Sequence, residues 1–369
     1  MKVTIERDLF LKALSHGQSV VERRTTVPIL SHVLLKADND KLTLTTTDME
    51  LSIVESIPAE IHRKGSVAVP ARMLHDVVRR LKEGAQIQLD FDSVTGVLSL
   101  QSGRSNFTFS CLPAEDFPAI NIDKLPHRFS LPAKDLFSLL ERARFAMSTE
   151  ESRYFLNGIY LHTAKENELR AVATDGHRLA KVTISLPPAA VSIPGVIIPR
   201  KTVNEVIKLL ADTVLDVDIT LSDSQISFTI GDAFLTSRLI DAQYPDYEPV
   251  IPKTNDKSLT MHIRPFTEAV DRVALMASEK ERGIRLKLTK DQPELSSASS
   301  ESGSAIEEIQ VDYGNDNLEI GFNARYLLEI AQQVNSDEAE MLLSDTASPA
   351  IIRDLNDNQS LYVLMPMRV

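Results

Sequence analysis

The chain has 369 residues, more than one hydrophobic core of ordinary size holds, so two or three domains of roughly 100–150 residues are expected. Hydrophobic residues at 43% and charged residues at 25% exclude a chain that is disordered throughout. The net charge of −12 argues against a surface basic all over, but salt confines each patch to about 10 Å, so a local basic face stays open.

The N-terminus, Met1-Lys2-Val3-Thr4-Ile5-Glu6-Arg7-Asp8, carries charges where a secretory signal needs an apolar run, and no stretch approaches the ~20 apolar residues of a membrane span. Cys111 is the single cysteine, so no internal disulfide can form, and a cytoplasmic location is expected.

Three landmarks then recur in the same order. The first is a strand followed at once by an amphipathic helix: Val3-Thr4-Ile5 into 7–14, Phe129-Ser130-Leu131 into 134–145, and Leu259-Thr260-Met261 into 265–276. The second is Val67-Ala68-Val69-Pro70 with apolar Leu74, Val77, Val78 and Leu81. It returns 129 residues on as Val196-Ile197-Ile198-Pro199 with Val203, Val206, Ile207 and Leu210. A third copy is Leu318-Glu319-Ile320-Gly321-Phe322-Asn323 with Leu327, Ile330, Ala331 and Val334. The third landmark is a strand into an acidic, aromatic, proline-containing turn. Phe107-Thr108-Phe109-Ser110 leads to Pro113-Ala114-Glu115-Asp116-Phe117-Pro118, and Phe234-Leu235-Thr236-Ser237 leads to Asp241-Ala242-Gln243-Tyr244-Pro245-Asp246-Tyr247.

Those turns predict domain boundaries, giving units 1–125, 126–253 and 254–369. Short alternating segments such as Lys41-Leu42-Thr43-Leu44-Thr45 and Val217-Asp218-Ile219-Thr220-Leu221 read as half-buried antiparallel strands. Each unit is therefore expected to be α+β, with two helices on a strand-rich sheet. The Ser-rich stretch 296–304 reads as a surface loop.

Phosphate-cradling and metal-binding motifs are absent from the sequence, and Cys111 has no second cysteine to join it on zinc. The most enzyme-like run is Thr174-Asp175-Gly176-His177-Arg178-Leu179. It reads as a turn whose Asp caps backbone amides and whose Gly supplies a positive φ, as a ligand-binding edge, or as an acid–base site lacking a companion nucleophile. Basic residues gather on the repeated helices: Arg72, Arg79, Arg80 and Lys82, then Arg142 and Arg144, then Arg200, Lys201 and Lys208. They form solvated helix faces or, if pseudo-symmetry aligns them, a lining for a polyanion.

Arg24-Thr25-Thr26-Val27-Pro28-Ile29-Leu30, Val69-Pro70-Ala71-Arg72, Arg153-Tyr154-Phe155-Leu156-Asn157-Gly158, Tyr244-Pro245-Asp246-Tyr247, Gly321-Phe322-Asn323 and Met365-Pro366-Met367-Arg368 add further motifs to the turn at 113–118 and the run at 173–179. Together these stretches resemble the bacterial DNA polymerase III β subunit family, the sliding clamps, over the whole chain. The resemblance implies a processivity factor without catalysis or cofactor: a head-to-tail homodimer of DNA clamp units closing into a ring around duplex DNA. Its partners would be the polymerase III α subunit, the clamp loader, other polymerases and repair proteins.

It also implies sites. A pocket between the second and third units would take a short peptide ending in bulky apolar residues. Its walls would be Leu156, Thr174, Gly176, His177, Arg178 and Leu179, with Pro245 and Val250. Asn323, Tyr326, Val363, Met365, Pro366 and Met367 would complete it. His177, Arg178 and Asn323 are expected to offer hydrogen bonds, and the methionines an adaptable surface. Pro249, Ala347 and Pro349 depart from the family pattern there. Arg24, Arg72, Tyr154 and Lys201 match DNA contacts. Arg104 with Phe107, and Leu275 with Met276, match the dimer junction, although each apolar one could equally be core.

Overall fold

In a computed structural model of the chain the described residues are 1–22, 25–120, 124–164, 167–211, 213–278, 282–300 and 303–368. They form two compact units, Met1–Phe137 with Pro187–Ile240, and Ser138–Leu186 with Asp241–Val369. The six α-helices among them are α1 (Arg7–Gln18), α2 (Ala71–Arg80), α3 (Ala133–Arg144), α4 (Arg200–Leu210), α5 (Ile263–Ala274) and α6 (Ala324–Ala331). Each follows directly on a strand, as the first two recurring landmarks predict. No described helix is long and apolar enough to cross a membrane.

The first unit holds two antiparallel sheets. One runs Glu60–Arg63, Lys2–Glu6, Gln86–Asp92, Val97–Ser102, Ser105–Ser110. The other runs His127–Pro132, Asp216–Leu221, Gln225–Ile230, Ala233–Arg238, Leu51–Pro58, Lys41–Thr47, His32–Asp38, Gly65–Pro70. In the second sheet Ala233–Arg238 pairs with Leu51–Pro58, Leu235 opposite Ile53, so strands from the middle of the sequence extend the sheet of its first third.

Alternation puts Val3, Ile5, Leu35, Ile87 and Leu89 on inner faces, where Phe10 and Leu14 of α1 and Leu74 and Val78 of α2 cover them. Burying side chains of this size stabilises by roughly 1.5–3 kcal/mol each. Pro70 and Pro199 begin α2 and α4 from the N-cap position at φ −54° and −58°, contributing no side-chain cap. The turn after Ser110 is held by the Ala68–Leu112 bridge, and Phe117 packs on Ile29, Leu30 and Ala68. Cys111 is half-buried, and burial pushes its thiol up to about 11, so it stays protonated.

In the second unit one sheet includes, in order, Gly158–Ala164, Glu168–Thr174, Arg178–Ser185, Ser360–Leu364, Ala350–Asp354, Glu338–Leu343, Lys257–His262 and Val311–Tyr313. The other runs Gly303–Glu308, Glu294–Ser299, Gly283–Leu288, Leu318–Asn323. Arg178–Ser185 pairs with Ser360–Leu364, Leu179 opposite Val363, again joining distant parts of the sequence.

The stretch 296–304 departs from expectation, because most of its described residues belong to a hairpin. Ser296 lies opposite Ile306, Ser297 opposite Ala305 and Ala298 opposite Ser304. Composition misled here, since serine fits a strand when its hydroxyl finds an acceptor: Ser297 is buried and donates to Val273 O at 2.6 Å.

The loop before Glu338–Leu343 hangs on buried Asp354. Its Oδ2 accepts from Asn335 N (3.0 Å) and Ser336 N (3.1 Å), and its Oδ1 accepts from Ser336 Oγ (2.5 Å) and Asn356 N (2.9 Å). Burial alone would raise this carboxyl, but those donors outweigh it and hold the pKa below the usual value. The stabilisation is therefore present above the ordinary carboxylate range and lost as pH falls through the folded value. Each buried donor left unpaired costs roughly 1–3 kcal/mol, so Asp354→Ala is expected to cost about 3 kcal/mol in urea unfolding at neutral pH.

Candidate functional site

Residues 174–179 form the capped turn. Asp175 Oδ1 accepts the backbone N–H groups of His177 (2.9 Å) and Arg178 (3.1 Å), and Gly176 takes φ +89°. Thr174 Oγ1 accepts from Gly176 N at 3.1 Å and donates to Arg178 O at 2.7 Å. A Cβ at position 176 would stand 2.7 Å from Arg153 Nη1, so glycine also makes room for that guanidinium. Asp175 Oδ2 accepts from Arg178 Nε at 3.1 Å. Both carboxylate oxygens thus serve the turn and Arg178, and the geometry gives no support to an acid–base couple of Asp175 with His177.

Arg178, expected to offer ligand hydrogen bonds, has its guanidinium held by partners inside the fold. It is buried, 7% exposed, and besides Asp175 it donates from Nη1 to Glu329 Oε2 and from Nη2 to Phe145 O at 2.6 Å. Its guanidinium lies over two rings, with Cζ 5.1 Å from the Phe145 centroid and 4.4 Å from that of Tyr326. A charge this far from water needs such partners, so the side chain turned inward. Asn323 is likewise engaged in structure: its Oδ1 caps α6, accepting from Arg325 N (3.0 Å) and Tyr326 N (3.3 Å). His177 remains exposed, its ring stacked on Tyr326 with centroids 6.1 Å apart and planes at 20°.

Around this turn the second unit gathers most of the predicted pocket residues. Leu179 and Val363 pair across strands and are buried. The C-terminal tail continues the contact: Met365 N donates to His177 O and Met367 N to Gly321 O, both at 2.9 Å, leaving Met365, Pro366 and Met367 half-buried. Leu156 is buried at the end of the 3-10 turn Glu151–Leu156.

Pro245 and Val250 are exposed on a turn anchored by aromatic packing, with Tyr244 stacked on Tyr160 at 4.7 Å. Tyr247 Oη meets His162 Nε2 at 2.9 Å and Arg170 Nη1 at 3.3 Å. Arg170 pairs in turn with Glu168 and Glu248. Ala347 N donates to Asp345 Oδ1 at 2.8 Å, Pro349 O accepts from Asn255 Nδ2 at 2.9 Å, and Pro249 is exposed.

The basic residues expected at nucleic acid are mostly paired. Lys201 Nζ reaches Val20 O at 2.9 Å and pairs with Asp48, while Lys208 pairs with Glu205 at 3.0 Å. Arg79 and Arg80 share Asp76, and Arg142 and Arg144 pair with Asp357 and Glu141. Arg72 is half-buried, with Nε finding no hydrogen-bond partner among the described residues. Tyr154 is exposed, and Arg24 lies outside the described residues.

Two sheets end on exposed strands. Ser105–Ser110 closes one sheet of the first unit with Phe107 at 37% exposure beside exposed Arg104. A groove of about 560 Å³ between that strand and α2 is lined by Met73, Val77, Leu81 and Phe107, among others. Gly303–Glu308 closes a sheet of the second unit, with Ile306 69% and nearby Leu275 77% exposed and Met276 half-buried. Leu275 and Phe107 are therefore surface residues, not core.

Comparison with known proteins decides the family. Segments 1–121, 130–246 and 248–368 match, in order, the N-terminal, central and C-terminal domains of the DNA polymerase III beta subunit. The chain belongs to this family, the beta sliding clamps. It is 46% identical to the beta sliding clamp of Caulobacter vibrioides and 36% to that of Escherichia coli, over 100% of each chain. It superposes with TM-score 0.96 on the Bartonella birtlesii clamp solved with griselimycin, at 45% identity and full coverage of both chains. The Caulobacter crescentus clamp gives TM-score 0.96 at 46% identity, covering 100% of this chain and 99% of that one. The fold is the three-domain DNA clamp of mixed helix and sheet.

Sequence reasoning missed Glu329, Phe145, Met73 and Ile306. Glu329 was within reach, standing four residues after Arg325 and one helical turn beyond Tyr326. Ile306, the lone large apolar residue between a Ser-rich run and two glutamates, was hidden by the loop reading.

Burial lowers the His162 pKa below its ordinary value, so the folded chain keeps this ring neutral. Its Nδ1 bonds Thr163 O at 2.9 Å, leaving Nε2 to accept from Tyr247 Oη. Stability from this residue is full above the unfolded value near 6.5 and falls as pH drops below it, because only the unfolded chain gains the proton. Thermal melts between pH 7.5 and 5.5 are expected to show a falling melting temperature, with a smaller fall in His162→Gln.

Proposed function

We propose that two copies of the chain close head to tail into a ring around duplex DNA, with consecutive units spanning 1–125, 126–253 and 254–369. As a DNA polymerase III processivity factor the ring tethers the polymerase without chemistry of its own. The observation that carries the ring is a pair of exposed sheet edges: among the described residues Ser105–Ser110 lacks a second neighbour in its sheet, and Gly303–Glu308 lacks one in its own. Unpaired edges are templates for another strand, and a heterologous contact that joins these two leaves neither of them exposed. Phe107 and Met73 flank one edge, and Leu275, Met276 and Ile306 flank the other. Charge is complementary too, with exposed Arg104 on the first side against exposed Glu308 on the second, while Glu307 is held by Arg272.

The family's partner pocket corresponds to the surface around His177, Tyr326, Leu156, Pro245, Val250 and Met365–Met367. Its exposed rim and half-buried methionines suit short peptides ending in bulky apolar residues, from polymerase III α subunit, clamp loader, other polymerases or repair proteins. Arg72, Tyr154 and Lys201 are DNA contacts in this reading, and Arg24 is assigned to the DNA by sequence match alone. Lys201, already shared with Asp48, gives a weak, sequence-independent phosphate contact, which suits sliding. The setting is the cytoplasm.

Truncating a central aromatic or aliphatic anchor of an interface typically costs 2 kcal/mol or more, and a buried charge costs further. Phe107→Asp and Ile306→Asp are each expected to weaken the dimer by about 100-fold in sedimentation equilibrium and to abolish processive synthesis. Unchanged dimers in both variants would sink the proposed junction.

A further inference from the structure

Arg178 belongs to a column of groups in contact that starts in the core and ends at the surface. Tyr362 is fully buried, and its ring lies 5.7 Å from that of Phe145. The Arg178 guanidinium then bridges the rings of Phe145 and Tyr326, and the ring of exposed His177 completes the stack on Tyr326. The two outermost members, Tyr326 and His177, are the ones placed at the mouth of the proposed pocket.

The column depends on where the guanidinium sits. Two carboxylates fix it, and they are not equivalent. Asp175 comes from the same turn and is already engaged by the backbone amides of His177 and Arg178. Glu329 comes from α6, the helix that carries Tyr326, and lies one turn beyond it. It is the ionic link by which α6 is tied to Arg178. Its other oxygen takes Arg325 Nε at 2.8 Å, so one carboxylate holds two cations, of which Arg178 lies over the Tyr326 ring. Burial would raise the Glu329 carboxyl, but Arg178 and Arg325 together hold it below the ordinary value.

We propose that Glu329 is a positioning residue for the partner pocket: through Arg178 it preorganises Tyr326 and His177 to receive a peptide. The inference rests on the pocket reading given above. Removing the carboxylate leaves a buried cation half-compensated, which frees it to leave the ring stack. Binding then has to order both rings, and affinity falls by the cost of that ordering.

The test compares wild type with Glu329→Gln, which keeps length and one acceptor, and Glu329→Ala. Two readouts are taken on the full-length protein: the His177 ring Hε1 resonance by NMR, and the Kd of a fluorescein-labelled peptide ending in Leu-Phe. The expected order is about 5-fold weaker binding for Gln and more than 10-fold for Ala, with the His177 signal moving in the same order toward its unstacked position. Should Ala fail to fold, the Gln variant decides alone. Wild-type affinity in the Gln or Ala variant, or an unmoved His177 signal, overturns the proposal. If wild type itself does not bind the peptide, the pocket reading fails. The NMR arm then still reports whether Glu329 holds the column.

Discussion

Backbone pairing between strands distant in sequence is the constraint on which the rest depends. Ala233–Arg238 locks onto Leu51–Pro58, and Arg178–Ser185 onto Ser360–Leu364. Each pairing turns what would be an exposed edge into the interior of a larger sheet, which removes the liability of an open ladder. The same pairing builds the site. Because Arg178–Ser185 is held by the C-terminal strand, the tail that follows must run past the turn at 174–179, where His177 O and Gly321 O catch it. The proposed ring extends the same rule to a second copy.

Electrostatics refine that picture. Counting lysines and arginines on the helices overstates the field they present, since Asp76, Asp48 and Glu205 each neutralise a cation that the sequence shows as free. With a net charge of −12, retention on DNA cannot rest on a strong positive field. In the proposed ring, topology supplies what charge does not.

Much of this was legible in the sequence, for identifiable reasons. The apolar spacing of Leu74, Val77, Val78 and Leu81 and its copies marks helices because the 3.6-residue period leaves few alternatives. Strand alternation at Lys41–Thr47 is equally plain. The capped turn at Asp175 follows from local chemistry, which needs no knowledge of distant residues. The inward turn of Arg178 was illegible, because it depends on Glu329, which is 151 residues away, and on a carbonyl of Phe145. The cap made by Asn323 follows from its place just before a helix. The Ser-rich hairpin shows the limit of composition: serine in a strand is decided by an acceptor on a neighbouring helix, here Val273 O.

The most direct test of the account is retention on a closed DNA circle. The labelled protein is loaded by a clamp loader, challenged with high salt, and followed before and after the circle is cut. A ring held by topology survives the salt on the circle and is lost when the circle is linearised. Equal release by salt from closed and cut DNA would show binding through phosphate contacts alone and would contradict the ring.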